Sequence, residues 1–181
     1  AAAALVYGEG CVWDTGGAEE AIRCAMGVAH TAGRTVSLGL SDGFCVERHR
    51  DEWRELLAGR VDVVFGNAGE VCSLFEVTDV DMAVEALASE VDLAFVTLGP
   101  RGSLVVSGSE RIPVAADELH AVVDTTGAGD LYAAGVLFGL SRGATPDHAA
   151  RLGSIAAAEV ISHLGARPKM DLVAVAKSIL G

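Results

Sequence analysis

The run Asp124-Thr125-Thr126-Gly127-Ala128-Gly129-Asp130, continued by Leu131-Tyr132-Ala133-Ala134-Gly135, concentrates chemistry in a short space. Glycines at 127 and 129 let the backbone approach a bound group and adopt positive φ. With the apolar segment Ala121–Val123 read as a buried strand before it and a helix after it, the N–H groups of Gly127, Ala128 and Gly129 become free donors at a helix start. Such donors and the helix dipole together make an anion site. Asp130 lies at the same helix start, where a carboxylate beside an anion site is unfavourable unless it has a task. The task that fits is to take the proton of a hydroxyl attacking a phosphoryl group while the N–H donors stabilise the charge in transit. The competing explanation is a capping-box-like helix start formed by Thr126 and Asp130. No Gly-Lys-Ser/Thr follows, so this is not a Walker loop. The residue three after Gly129 is Tyr132, which breaks the dinucleotide fingerprint and disfavours a Rossmann dehydrogenase.

Three further segments carry polar residues at strand or helix ends. In Phe65-Gly66-Asn67-Ala68-Gly69-Glu70, Asn67 and Glu70 share a helical face. Beside phosphates, Glu70 can hold Mg²⁺ through water and Asn67 can donate to an oxygen, although Asn at an N-cap with Glu at N3 is also a common helix start. Val96-Thr97-Leu98-Gly99-Pro100-Arg101-Gly102 is a strand end and tight turn, which is either a hairpin connection or a backbone surface for a nucleotide. Ser162-His163-Leu164-Gly165-Ala166-Arg167-Pro168 ends a long helix, with Gly165 as the stop residue. A lone His163 there reads as a cap or surface residue.

These segments need elements to position them. The pattern predicts strands over Ala2–Glu9, Thr35–Leu40, Val61–Phe65 and Leu93–Leu98, and a hairpin of Ser103–Ser107 with Arg111–Val114. It predicts helices over Gly17–Thr31, Val46–Leu57, from Asn67, Asp79–Ser89, Gly127–Gly139, Pro146–His163 and Leu172–Leu180. Alternating strands and helices argue for an α/β fold, a mostly parallel sheet covered on both faces. In such sheets ligands sit at the carboxyl ends of strands, where each segment above falls. No internal repeat or linker divides the chain, so a single domain is expected over 1–181.

The 181 residues are 51% apolar, enough for a core, and carry a formal net charge of −12. That charge disfavours nucleic acid and anionic membranes as partners. It would also repel a nucleotide unless backbone N–H groups, Mg²⁺ or Arg/Lys locally reverse it. Cysteines 11, 24, 45 and 72 show neither C-x-x-C nor zinc spacing and read as buried reduced thiols of a cytoplasmic protein. There is no apolar run of membrane-spanning length and no basic, cleavable leader in Ala1–Ala4. A chain that opens directly on a strand looks cut from a longer one.

Asp124-Thr-Thr-Gly-Ala-Gly-Asp130-x-Tyr-x-Ala-Gly resembles the C-terminal signature of the ribokinase-like (PfkB-type) carbohydrate kinases. The resemblance implies a three-layer α/β/α fold and ATP-dependent phosphorylation of a sugar or nucleoside hydroxyl. It implies Asp130 as the base, Gly127, Ala128 and Gly129 as the anion hole, and Asp124 and Thr126 near a monovalent cation such as K⁺. Asn67 and Glu70 resemble the family's Asn-x-x-Glu pair, serving phosphate and Mg²⁺, although Gly69 stands where an acidic residue is common. Thr97, Gly99 and Gly102 resemble its nucleotide-side turn. The loop of His163 and Gly165 corresponds to the one beside adenine and the cation, with Lys169 replacing a frequent hydroxyl residue.

Glu9-Gly10-x-x-Trp13-Asp14 and Leu40-Ser41-x-x-Phe44 resemble bacterial adenosine-kinase-like members, with Glu9 facing the acceptor. The resemblance spans residue 5 to the end and covers only the family's C-terminal half. The acceptor-binding segment, lid and much of the homodimer contact belong to the other half. The chain by itself is therefore expected to bind nucleotide and turn over poorly, and its exposed sheet edge to favour association. The alternatives are a non-catalytic nucleotide-binding regulator, which has no need of Asp130, and a vitamin-precursor kinase of the wider superfamily, which shares the Gly-x-Gly-Asp turn.

Overall fold

The computed structural model describes residues 3–117 and 121–180. Six strands join in one sheet whose order follows the chain: β1 (Leu5–Glu9), β2 (Thr35–Gly39), β3 (Val63–Asn67), β4 (Leu93–Thr97), β5 (Ser103–Ser107) and β6 (Glu110–Val114). β1 pairs parallel with β2, and β2 with β3, in a register that sets Glu9 opposite Gly39 and Gly39 opposite Phe65. The sheet is mostly parallel with helices on both sides, as the alternating pattern predicts. The predicted first strand begins at Leu5; Ala2 lies outside the described residues.

The chain divides into two compact units, residues 1–96 with 106–111, and residues 97–105 with 112–181. The first contains α1 (Ala18–Thr31), α2 (Gly43–Arg48), α3 (Arg50–Leu57), α4 (Ala68–Phe75) and α5 (Val80–Ala88). Its core is built from continuous apolar strands, including Val36, Leu38, Val64, Ala94 and Phe95, with Phe65 stacked on Phe95 at 5.4 Å between ring centroids. Burial on both faces requires such runs in place of alternation.

One helix was expected over Val46–Leu57, and the structure breaks it at His49 (φ −116°, ψ 23°). The His49 ring is held between Asp14 at 2.7 Å and Glu52 at 3.4 Å, partners that pull the residue out of helical geometry. Asp42 starts α2 by accepting the Cys45 N–H at 2.8 Å.

The second unit contains α6 (Ala128–Ser141), α7 (Pro146–Ile161) and α8 (Leu172–Leu180). α6 and α7 touch backbone to backbone through small residues. A Cβ at Gly135 would meet the Leu152 carbonyl oxygen at 2.7 Å, and one at Gly153 would meet the Tyr132 carbonyl oxygen at 2.7 Å.

The expected buried strand at 121–123 is not formed. Val122 and Val123 are 61% and 52% exposed, and the N–H of Val123 bonds to the Ile161 carbonyl, 2.8 Å away at the end of α7. The cysteine reading is corrected in part. All four thiols are free, but only Cys45 is buried, while Cys11 and Cys24 are exposed. Cys24 lies on the outer side of α1, away from its buried residues Met26 and Ala29.

Candidate active site

The Gly127–Asp130 turn starts α6 without any side-chain cap. Gly127 occupies the N-cap position at φ +81°, a left-handed conformation that glycine takes without steric cost. Thr126 and Asp130 therefore do not form the alternative capping box. The Ala128 N–H turns back to the Thr125 carbonyl at 3.2 Å. Among the described residues no protein acceptor meets the N–H groups of Gly127, Gly129 and Asp130. The Asp130 side chain is exposed beside them. The first turn of α6 thus presents unpaired donors and a carboxylate together.

Asp124 braces this turn from its N-terminal side. Its Oδ1 accepts the Thr126 N–H at 2.9 Å, and its Oδ2 accepts the Gly165 N–H at 3.0 Å. Hydrogen bonds from Thr126 and then from the Gly165 N–H pull its carboxyl down to about 2, since each favours the charged form. On the far side of the turn, a Cβ at Gly127 would meet the Ala166 Cβ at 2.7 Å. Gly127 is thus required twice, by its φ and by the closeness of Ala166.

A cavity of about 410 Å³ opens in the second unit, lined mainly by carbon. Thr97, Gly99 and Gly102 form one wall, Ala128 and Gly129 another, and Ala157, Ala158 and Ile161 of α7 a third. Two segments read separately in the sequence therefore meet around one space. Tyr132 at its edge is buried and donates to Ser103 Oγ at 2.8 Å. Burial pushes its hydroxyl up to about 12, against the hydrogen bond to Ser103, so it stays a neutral donor. Gly102 has φ +88°, and a Cβ there would collide with the Val114 carbonyl oxygen at 2.1 Å. Glycine is what lets the turn lie flat on β6.

His163 and Gly165 are not part of this cavity's lining. The His163 ring lies 3.2 Å from Glu159 and 3.2 Å from the Leu164 carbonyl, while Gly165 is bound to Asp124. Sequence reasoning missed Glu159. A helix-end Glu followed four residues later by His was the available signal.

In the first unit, Asn67 caps α4 with a complete capping box. The Glu70 N–H donates to Asn67 Oδ1 at 2.9 Å, and the Asn67 N–H donates to Glu70 Oε2 at 2.8 Å. The Asn67 amide also donates to Glu70 Oε1. Glu70 is buried, and its carboxyl is pushed up to about 7 by burial and by the nearby charges of Asp42 and Glu9, against the hydrogen bond from Asn67.

Glu9 itself receives hydrogen bonds from Tyr7 and Ser41. Ser41 takes φ +74°, uncommon for a residue with a side chain, and also accepts the Cys11 N–H at 2.8 Å. Three carboxylates so placed create a negative field that a cation would relieve. Among the described residues no group of three His, Cys, Asp or Glu side chains is arranged to ligate a metal directly.

No helix among the described residues is long and apolar enough to cross a membrane. Comparison with known proteins gives the arrangement its context. The description of the pfkB family carbohydrate kinases matches residues 1–172. The chain superposes on the adenosine kinase from Sinorhizobium meliloti with TM-score 0.94 and 48% identity, covering 97% of this chain and 54% of that one. A probable sugar kinase from Rhizobium etli gives TM-score 0.94 and 41% identity, covering 97% and 53%. A cytidine kinase from Thermococcus kodakarensis is 37% identical over 123 residues, 65% of this chain and 43% of that protein. The chain thus spans about half the length of these relatives. With the family description matched over nearly all its residues, the chain belongs to the pfkB family of carbohydrate kinases.

Proposed function

We propose that this chain is the phosphate-handling part of an ATP-dependent kinase that phosphorylates a hydroxyl of a nucleoside or sugar. The observation that carries the reading is the uncapped start of α6, where unpaired N–H groups of Gly127, Gly129 and Asp130 stand beside the exposed Asp130 carboxylate. Asp130 takes the proton of the attacking hydroxyl. The N–H groups of the Gly127–Asp130 turn receive the charge that develops on the transferring phosphoryl oxygens. Thr97, Gly99 and Gly102 offer backbone and hydroxyl contacts to the nucleotide along the 410 Å³ cavity, whose apolar lining suits a base. His163 and Gly165 hold the neighbouring 162–167 loop.

Mg²⁺, when bound, neutralises phosphate charge. Glu70 would hold it through water, with Asn67 fixing that carboxylate and donating to a phosphate oxygen. Asp124 and Thr126 would face a monovalent cation such as K⁺. Glu9, oriented by Tyr7 and Ser41, faces the acceptor. The four free thiols suit a reducing, cytoplasmic setting. Similarity over 97% of this chain to a protein described as an adenosine kinase, at 48% identity, favours a nucleoside acceptor, adenosine first.

The test is ATP-dependent phosphorylation by the full-length protein with Mg²⁺ across adenosine, cytidine, ribose and fructose, alongside Asp130→Asn. Transfer to one acceptor, abolished in the variant, supports the reading. ATP binding without transfer to any of them would point instead to a nucleotide-binding regulator.

A further inference from the structure

Residues 162–171 form no regular helix or strand, yet the Gly165 N–H is held at Asp124 and Ala166 is packed against Gly127. Something must fix a loop of this length. Glu159, in the last turn of α7, is placed to do so. Its Oε1 lies 2.7 Å from the Lys169 N–H, 2.9 Å from the Met170 N–H and 3.2 Å from His163 Nε2. One carboxylate oxygen therefore grips the loop at its beginning and at its end. The Glu159 side chain is only 7% exposed, and its Oε2 is buried with no partner among the described residues. Leaving a buried carboxylate oxygen unpaired is costly, so the three bonds at Oε1 must outweigh that cost. Burial acts to raise the Glu159 carboxyl, but the Lys169 and Met170 N–H groups and the His163 ring prevail and hold it below the ordinary range. The group is a charged acceptor, the stronger kind.

We infer that Glu159 is a positioning residue for the nucleotide site: by clamping both ends of the 162–170 loop to α7 it presents Gly165 to Asp124 and Ala166 to Gly127, and so sets the Gly127–Asp130 turn. The inference rests on the kinase reading given above. Glu159 does not line the cavity and acts through the loop. Alanine at 159 leaves two backbone N–H groups without their acceptor. Glutamine keeps an amide oxygen that can accept them.

The experiment uses the full-length protein and compares wild type, Glu159→Ala, Glu159→Gln and Lys169→Pro. Lys169→Pro removes one of the clamped N–H groups without touching α7, and so answers the question if the alanine variant does not fold. ATP dissociation constant, KM for ATP and kcat are measured, with amide hydrogen exchange over the loop in the absence of ligand. Glu159→Ala and Lys169→Pro should weaken ATP binding and raise its KM roughly tenfold or more, and lower kcat as well, because the displaced Gly127–Asp130 turn both binds phosphate and receives the charge of the transition state. Amide protection of residues 162–170 should fall while that of α7 is kept. Glutamine should restore most of the affinity.

Unchanged ATP affinity in both the alanine and proline variants, in a protein that binds ATP, would overturn this inference and leave the kinase reading intact. Absence of ATP binding by the wild type would overturn both.

Discussion

Asp124 Oδ2 accepts the Gly165 N–H at 3.0 Å across 41 positions of sequence, while its other oxygen holds the Thr126 N–H at 2.9 Å. The carboxylate joins the two loops that flank the start of α6. Because its carboxyl is held near 2, below the ordinary value of an unfolded chain, the sign of the pH effect is fixed. The clasp contributes above the unfolded value, about 3.9, and is lost as pH falls through the folded value. Asp124→Asn has one acceptor oxygen where Asp has two. It should lower loop amide protection already near neutrality and remove the further loss between pH 4 and 2 that the wild type shows.

Glu70 behaves in the opposite sense. Its folded carboxyl is raised to about 7, so the stability tied to its protonated form is complete below its unfolded value and declines as pH rises through 7. In chelator, without divalent cation, wild type should lose stability between pH 5 and 8 and Glu70→Gln should lose much less. Equal pH dependence of denaturant midpoints in the two proteins would contradict the buried carboxylate described above.

Asp130→Asn tests the base. The substitution keeps size and leaves the unpaired N–H groups in place, so nucleotide affinity should be retained while kcat falls by about 10²–10⁴. Isothermal titration with ATP and steady-state assays of the full-length protein separate the two.

Gly127→Ala tests the turn. A left-handed φ costs a residue with a side chain about 1–2 kcal/mol, and here the new methyl also meets Ala166. Urea denaturation should show at least that loss, with ATP affinity falling as well. Gly129→Ala meets nothing within 4 Å and should be tolerated in stability.

How much of this was legible in the sequence depends on how local its cause is. α1, α6 and the Asn67-to-Glu70 start of α4 follow from short-range periodicity, glycine placement and capping chemistry, and they form close to where those signals lie. The break at His49 does not, because Asp14, which holds its ring, is 35 residues away. Nor does the state of 121–123, whose apolar residues read as a strand but whose last N–H, that of Val123, is taken by the Ile161 carbonyl at the end of α7. At the site, the spacing of glycines 127 and 129 before a helical stretch was enough to place a turn at the start of α6. Its bracing by Asp124, Gly165 and Glu159 depends on chain distant in sequence, which no window reveals.

The backbone contact of α6 with α7 has a mechanical consequence. Where Gly135 meets Gly153 the two backbones touch with no side chain between them, and packing that close resists sliding, so the pair is expected to behave as one girder. The loop that precedes α6 and the loop that leaves α7 hang from that girder at the same end, as the Val123–Ile161 bond records. Gly135→Val, which forces a methyl into the Leu152 carbonyl, should cost about 1–3 kcal/mol and spread the helices. Its effect would therefore be felt at both loops at once, two turns away from the altered atom, as a change of span and not of chemistry.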